Sequence, residues 1–510
     1  MNTIAKIVSI VTAIAISSLF AAKAPVAKHD PKQDPLTVWI MPNGASPQEK
    51  LEQRLNLFTK RTGIKTKVVV LDWGEAWNRI STTLSSGKDA PDVLQLGTTW
   101  IPYFASRGEI KALNPWLSSI DSSRFVPVSW NTTHIDSDTA IYSIPWFIDI
   151  RPVLANKRIL KKNNIQPEDV ATFDGFVNAI RKVKNSRETL DDGTKVSAFA
   201  FPGKSDWNIP HNFAPWVWSE GGDFIAKDND GKWQANILTE PTLKGIAKYL
   251  DFILDTLVSS ETLQLNTAQI AQQFNNGELA FIVNTAEIVM QTRFNGSMGG
   301  LSNARIGADS VTVFPIPKGA AGSISFVGGS NLAIPAKNSN PNALKLLLYL
   351  TNDANLDAYT KQIGFLPPSK TVLESWADDE AYGELVHLLE NGRTYTAIPE
   401  WGDIEQALVS MFSAVWELLE IPALFSEEKL YQTFKDYTDN INNRLGYTPT
   451  KTMTFAEFQE IWKRAKQAGK KQVSPKNDAK DGSGFNPTVF IFFFVLVISF
   501  LFSYTRKKKQ

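Results

Sequence analysis

Trp146, Phe147, Asp149 and Arg151, close together in the stretch YSIPWFIDIRP, combine two kinds of recognition chemistry. Aromatic rings offer flat faces for stacking, and a carboxylate and a guanidinium offer paired hydrogen bonds in fixed planes. A ligand suited to both has apolar faces and hydroxyl edges, and each hydroxyl it buries needs a partner. An ion pair that only joins two parts of the fold is the alternative for Asp149 and Arg151. HNFAPWVWSEGGDF adds His211, Trp216 and Trp218, and GGSNLAI adds Gly329, Ser330 and Asn331, where backbone can approach a ligand closely. PEWGDIEQAL adds Trp401 at the start of an expected helix. Phe147, Trp216 and Trp218 are residue types more often found in a core than in a cleft.

Other chemistries find little support. The chain has no cysteine, which removes disulfides, thiol catalysis and thiolate metal sites. Its four histidines are scattered, so neither a metal nor a cofactor is expected. G-x-S-x-G, H-E-x-x-H and the glycine-rich nucleotide loops are absent. Asp149, Glu287 and Glu405 are the acids a glycoside-cleaving enzyme would need, yet nothing in their spacing requires one. Lys and Arg number 53 against 52 Asp and Glu, a balance that gives no grounds for gripping nucleic acid.

The elements that would hold such a site begin at LTVWIM, Leu36 to Met41, a buried strand. In SPQEKLEQRLNLFTKRTG, Ser46 reads as a helix N-cap, Pro47 as the first helical residue and Glu49 as the partner in a capping box. KTKVVVLDW, GEAWNRISTTLSSG and DVLQLG follow as strand, helix and strand, giving a β-α-β-α-β run and a parallel sheet. Ligands of open sheets bind beyond the carboxyl ends of the strands. Those ends carry Asn43, Trp73, Thr98, Thr99 and Trp100.

FTKRTGIKTKVVV, LSSGKDAPDVLQLGTTWIPYFASRGEIKALNPW, YSIPWFIDIRPVLANKRIL, APWVWSEGGDF, FNNGELAFIVNTAEI, FPIPKG, FVGGSNLAIPAKNSNPNALKLLLYL and GFLPPS fall in one order along the chain. In that order they resemble the extracellular solute-binding proteins of ABC importers, in the carbohydrate-binding branch that includes maltose-binding protein. The resemblance covers about residues 36 to 465. It implies an α/β fold of the periplasmic-binding-protein type: two lobes around a hinged cleft, one built from 36–145 with 318–370, the other from 146–317 with 371–470. It also implies a binding rather than catalytic function, a neutral saccharide as ligand and importer permease subunits as partners; the sequence leaves the oligomeric state open, with a monomer as the default. Where the maltose-binding branch has an acid after the third strand this chain has Thr99, and where it has a stacking tryptophan this chain has Glu287. A monosaccharide or disaccharide of different geometry is therefore expected. A ligand sensor reporting to a membrane partner is the alternative function.

The ends suggest where the molecule works. Residues 1–24 carry Lys6, an apolar stretch and small residues, the pattern of a secretory signal peptide. Residues 471–486 are a polar tether, 487–505 an apolar run of a length that nearly spans a bilayer, and 506–510 a basic tail. The expectation is a body held on the extracytoplasmic face of the cytoplasmic membrane by a single helix, with its C-terminus in the cytoplasm.

Overall fold

The computed structural model describes residues 34–468, apart from 45, 137, 204–205, 294–305, 307–309, 380–381 and 422. The expected signal peptide (1–24), tether (471–486), membrane helix (487–505) and tail (506–510) lie outside the described residues. Among the described residues no helix is long and apolar enough to cross a membrane.

The strands are β1 (Leu36–Ile40), β2 (Thr66–Val70), β3 (Val93–Gly97), β4 (Ile144–Arg151), β5 (Val153–Asn156), β6 (Ser197–Ala200), β7 (Ile225–Lys227), β8 (Trp233–Ala235), β9 (Leu279–Val283), β10 (Val311–Phe314), β11 (Ser325–Ala333) and β12 (Gly392–Arg393). β1 pairs in parallel with both β2 and β3, with helices Pro47–Thr62 and Trp73–Ser86 as the connections, as the opening pattern predicts. The first sheet runs β12-β11-β3-β1-β2, and β4 lies on β11 as well. The second sheet runs β10-β5-β9-β6, and β7 with β8 forms a separate hairpin. β4 stays hydrogen-bonded to β11 as far as Arg151, and β5 belongs to the second sheet, so the chain changes sheets at Pro152.

One local expectation is corrected. Ser46 lies in the left-handed region at φ 52°, and its side chain caps nothing, so no capping box forms with Glu49. Pro47 does start the helix, Glu49 sits in its first turn, and Gly63 ends it at φ 74°. The next helix is properly capped, because Asp72 accepts a 2.8 Å hydrogen bond from the Gly74 N–H.

Much of the aromatic content is core. Trp146 stacks on Tyr359 at 4.6 Å, and Phe213 stacks on Phe412 at 3.8 Å. One buried cluster joins the second sheet to helices Ile209–Ser219, Glu240–Leu254, Trp401–Glu420 and Glu427–Arg444. In Trp401–Glu420 the apolar stripe runs through Trp401, Ile404, Leu408, Met411, Val415 and Leu419, and Glu405 is buried beside it.

β4 and β11 carry both cavity residues and core, so their pairing governs the site. Gly329 in β11 has φ 125°, and a Cβ there would lie 2.2 Å from the Phe147 carbonyl oxygen. Gly329→Ala should force the two strands apart and lower stability by about 2 kcal/mol or more. Urea denaturation tests this, and a loss below about 0.5 kcal/mol would show that the strands yield freely.

Candidate functional site

A cavity of about 630 Å³ opens at the carboxyl ends of the first sheet's parallel strands. β1 leads into Asn43, and β3 into a single turn bearing Thr98, Thr99 and Trp100. Trp73 begins the helix after β2 and donates its indole N–H to the Pro42 carbonyl at 3.1 Å. Beneath them Gln95 accepts from Asn43 at 2.9 Å and donates to Ser330 at 2.8 Å, which fixes two wall residues from one buried amide.

Residues two apart on a strand share a face. On β4 that rule puts Phe147, Asp149 and Arg151 on the cavity, with the Arg151 Nε 3.1 Å from the Asp149 Oδ2. Both side chains are almost fully buried. The guanidinium lies 5.4 Å from the Phe326 ring centre and 5.8 Å from that of Trp207. His211 stacks on Phe326 at 4.4 Å, with its Nδ1 3.0 Å from the Tyr395 hydroxyl. Burial, helped by the nearby Arg151 charge, holds His211 well below the usual imidazole range, so the ring is neutral at pH 7.

Two further carboxyls close the wall. Glu405 accepts from the Thr99 hydroxyl at 3.1 Å through Oε2, and its Oε1 lies 3.7 Å from His211 Nε2. Burial pushes Glu405 up to about 7, against the pull of the Thr99 hydrogen bond. Glu287 accepts from the Gly44 N–H at 3.0 Å and is also pushed up to about 7, by burial first and by the Asp149 charge second. Burial raises Asp149 too, although Arg151 opposes it.

Among the expected residues, Asn43, Trp73, Thr98, Thr99, Trp100, Asp149, Arg151, His211, Glu287, Gly329 and Ser330 line this cavity. The other four are placed elsewhere, for reasons of geometry. Trp146 faces away from Asp149 across β4 and packs in the first-sheet core. Trp216 is five residues beyond His211, on another side of their helix, and packs edge-on against Phe173 at 6.0 Å. Asn331 donates to Thr132 and Ser143, each at 3.0 Å. Trp401 is buried against Tyr395 at 4.3 Å.

The cavity also has walls that the sequence reading missed. Trp207 stacks on Trp73 at 5.3 Å and 19°. Asp206, Asn208, Asn266, Thr267, Asn284 and Thr285 add polar groups from segments flanking the second sheet's strands. A tryptophan between polar residues in SDWNIP was the available signal. Among the described residues, no three His, Asp or Glu side chains are grouped to hold a metal ion.

Residues 53–384 match the family model described as "Bacterial extracellular solute-binding protein". The diacetylchitobiose binding protein DasA of Streptomyces coelicolor is 26% identical over 376 residues, covering 72% of this chain and 81% of that protein. Two solved structures share the fold. One is an ABC transporter solute-binding protein of Thermotoga lettingae bound with α-D-tagatose, with TM-score 0.69, 20% identity, and coverage of 81% of this chain and 100% of the other. The second is maltose-bound MalE3 of T. maritima, with TM-score 0.66, 20% identity, and coverage of 81% and 98%.

Proposed function

The chain belongs to the bacterial extracellular solute-binding proteins, and on that premise we propose that it captures a small saccharide outside the cytoplasm and delivers it to an ABC importer. The observation that carries the reading is the cavity itself. Its volume of about 630 Å³ falls in the usual range for small-molecule sites, roughly 300–1,000 Å³. It sets indole and phenyl faces beside a buried Asp149–Arg151 pair, the mixture that a polyhydroxy ring requires. The saccharide-named relatives support the same class.

In this reading the two sheets, each with its covering helices, act as lobes that close on the ligand, and the Pro152 passage is one of the hinge strands. The apolar run at 487–505 ties the body to the membrane, and the tether at 471–486 keeps it near the importer. Linked binding of that kind raises local concentration, to about millimolar for a short flexible linker. Glu287 and Glu405 bind and orient the ligand and perform no bond cleavage.

A thermal-shift screen of the full-length chain against sugars, amino acids, polyamines and phosphate esters tests the assignment. A sugar at one hundred times its Kd should stabilise the protein by about 2.7 kcal/mol. Stabilisation by non-sugar ligands alone would refute it. Asp149→Ala should weaken binding of that sugar by more than about 1.5 kcal/mol, through loss of a charged hydrogen-bond partner. An unchanged affinity in a calorimetric titration would make Asp149 structural.

A further inference from the structure

We propose that the saccharide carries an ammonium group, drawn to the acids Asp149, Glu287 and Glu405 that line the cavity with Arg151. The inference rests on the saccharide reading and replaces the neutral ligand expected from sequence with a cationic one.

Charge in the cavity is unbalanced. Asp149 and Glu405 are buried on its wall, Glu287 is half-buried there, and Arg151 is the one Lys or Arg among the lining residues described. Arg151 is already paired with Asp149 through Oδ2. Asp149 Oδ1 and Glu405 Oε1 are buried and make no hydrogen bond of good geometry, although the Ala286 backbone neighbours Asp149 and the Trp100 and Trp401 indoles neighbour Glu405. Lys50, near Glu287, donates to the Gln362 carbonyl at 2.7 Å instead. The remaining wall acids are satisfied in other ways: Asp206 takes the Asn208 and Thr267 N–H groups, and Asp72 caps its helix.

A sugar hydroxyl would bring one proton to these oxygens and no charge. An ammonium brings three donors and a full positive charge into a site screened from water. A bare metal ion suits the site poorly, since no group of three ligating side chains is present among the described residues. Burial keeps Glu287 and Glu405 partly protonated near neutral pH in the free protein, so an arriving ammonium would expel a proton. The groups facing Glu287 are Asp149, Arg151 and Lys50. Those facing Glu405 are Arg151, His211 and Tyr395.

The test is calorimetric titration of the full-length chain with two matched series. One contains chitobiose with free amines, N,N′-diacetylchitobiose and cellobiose; the other contains D-glucosamine, N-acetyl-D-glucosamine and D-glucose. In at least one series the amine should bind about tenfold more tightly than either counterpart, as a charge-assisted hydrogen bond allows. Proton release, measured below the amine's own pKa and in buffers of different ionisation enthalpy, should accompany the amine alone. Glu405→Gln and Glu287→Gln, each shown to be folded by its melting transition, should erase most of that preference. A hydroxyl or acetamido sugar binding as tightly as the amine overturns the inference and leaves the saccharide reading standing. An amine preference that survives both substitutions overturns it as well. Silence from both series also overturns it, and the saccharide reading then answers to the broader thermal-shift screen.

Discussion

Glu405→Gln should gain about 3 kcal/mol of folding stability over the native chain as the pH rises from about 4 to about 8, in the absence of ligand. Burial pushes this carboxyl from 4.5 up to about 7, so between those values the folded state keeps a proton that the unfolded chain has lost. The stability this provides is complete below the unfolded value and disappears as the pH climbs through the folded one. At about 1.4 kcal/mol per pH unit, the interval amounts to about 3 kcal/mol. Glutamine does not titrate, and its carbonyl can still accept from Thr99, so the variant lacks the penalty. Urea denaturation at several pH values reads the difference directly. Two curves that stay parallel across the window would mean that Glu405 ionises as an ordinary surface acid does.

Arg151→Ala has an effect of the same size through a different cause. Removing the guanidinium leaves the buried Asp149 carboxylate without its cation and opens space beside Phe326 and Trp207. Breaking a buried pair from one side costs about 3–5 kcal/mol. Adding Asp149→Asn should restore part of that loss, because the orphaned charge goes with it, and the double-mutant cycle measures the coupling. Arg151→Lys should fail to rescue, since an ammonium has no Nε–H in the guanidinium plane and no flat face for the rings. Additive single effects would show that Arg151 acts by packing alone.

The sequence disclosed the first sheet better than the second. Strand and helix alternate in short steps over residues 36–97, so periodicity and strand-end logic placed Asn43, Trp73, Thr98, Thr99 and Trp100 on the cavity wall. Alternation along β4 already separates Trp146 from Asp149, and the same rule would have assigned that tryptophan to the core. The helical angle between His211 and Trp216 carries a similar message. Trp207, Asn266 and Thr267 were harder to find, because they come from connections between strands of the second sheet, whose approach to the first sheet depends on tertiary packing. Ser46 failed as a cap because the chain enters that helix with left-handed backbone, which turns its side chain away from the first-turn N–H groups.

The paired indoles on the cavity wall stand too close together for a sugar ring to sit between them. A pyranose between two aromatic planes needs about 7–8 Å, twice an ordinary carbon–carbon contact, and Trp73 and Trp207 stand 5.3 Å apart. They must therefore part or tilt before a solute passes between them. Stacking of this kind contributes about 0.5–1.5 kcal/mol beyond buried area, which caps the parted population at roughly a third. So modest a cost leaves the pair able to open around a ring, and the movement of either indole would register as a change in intrinsic fluorescence.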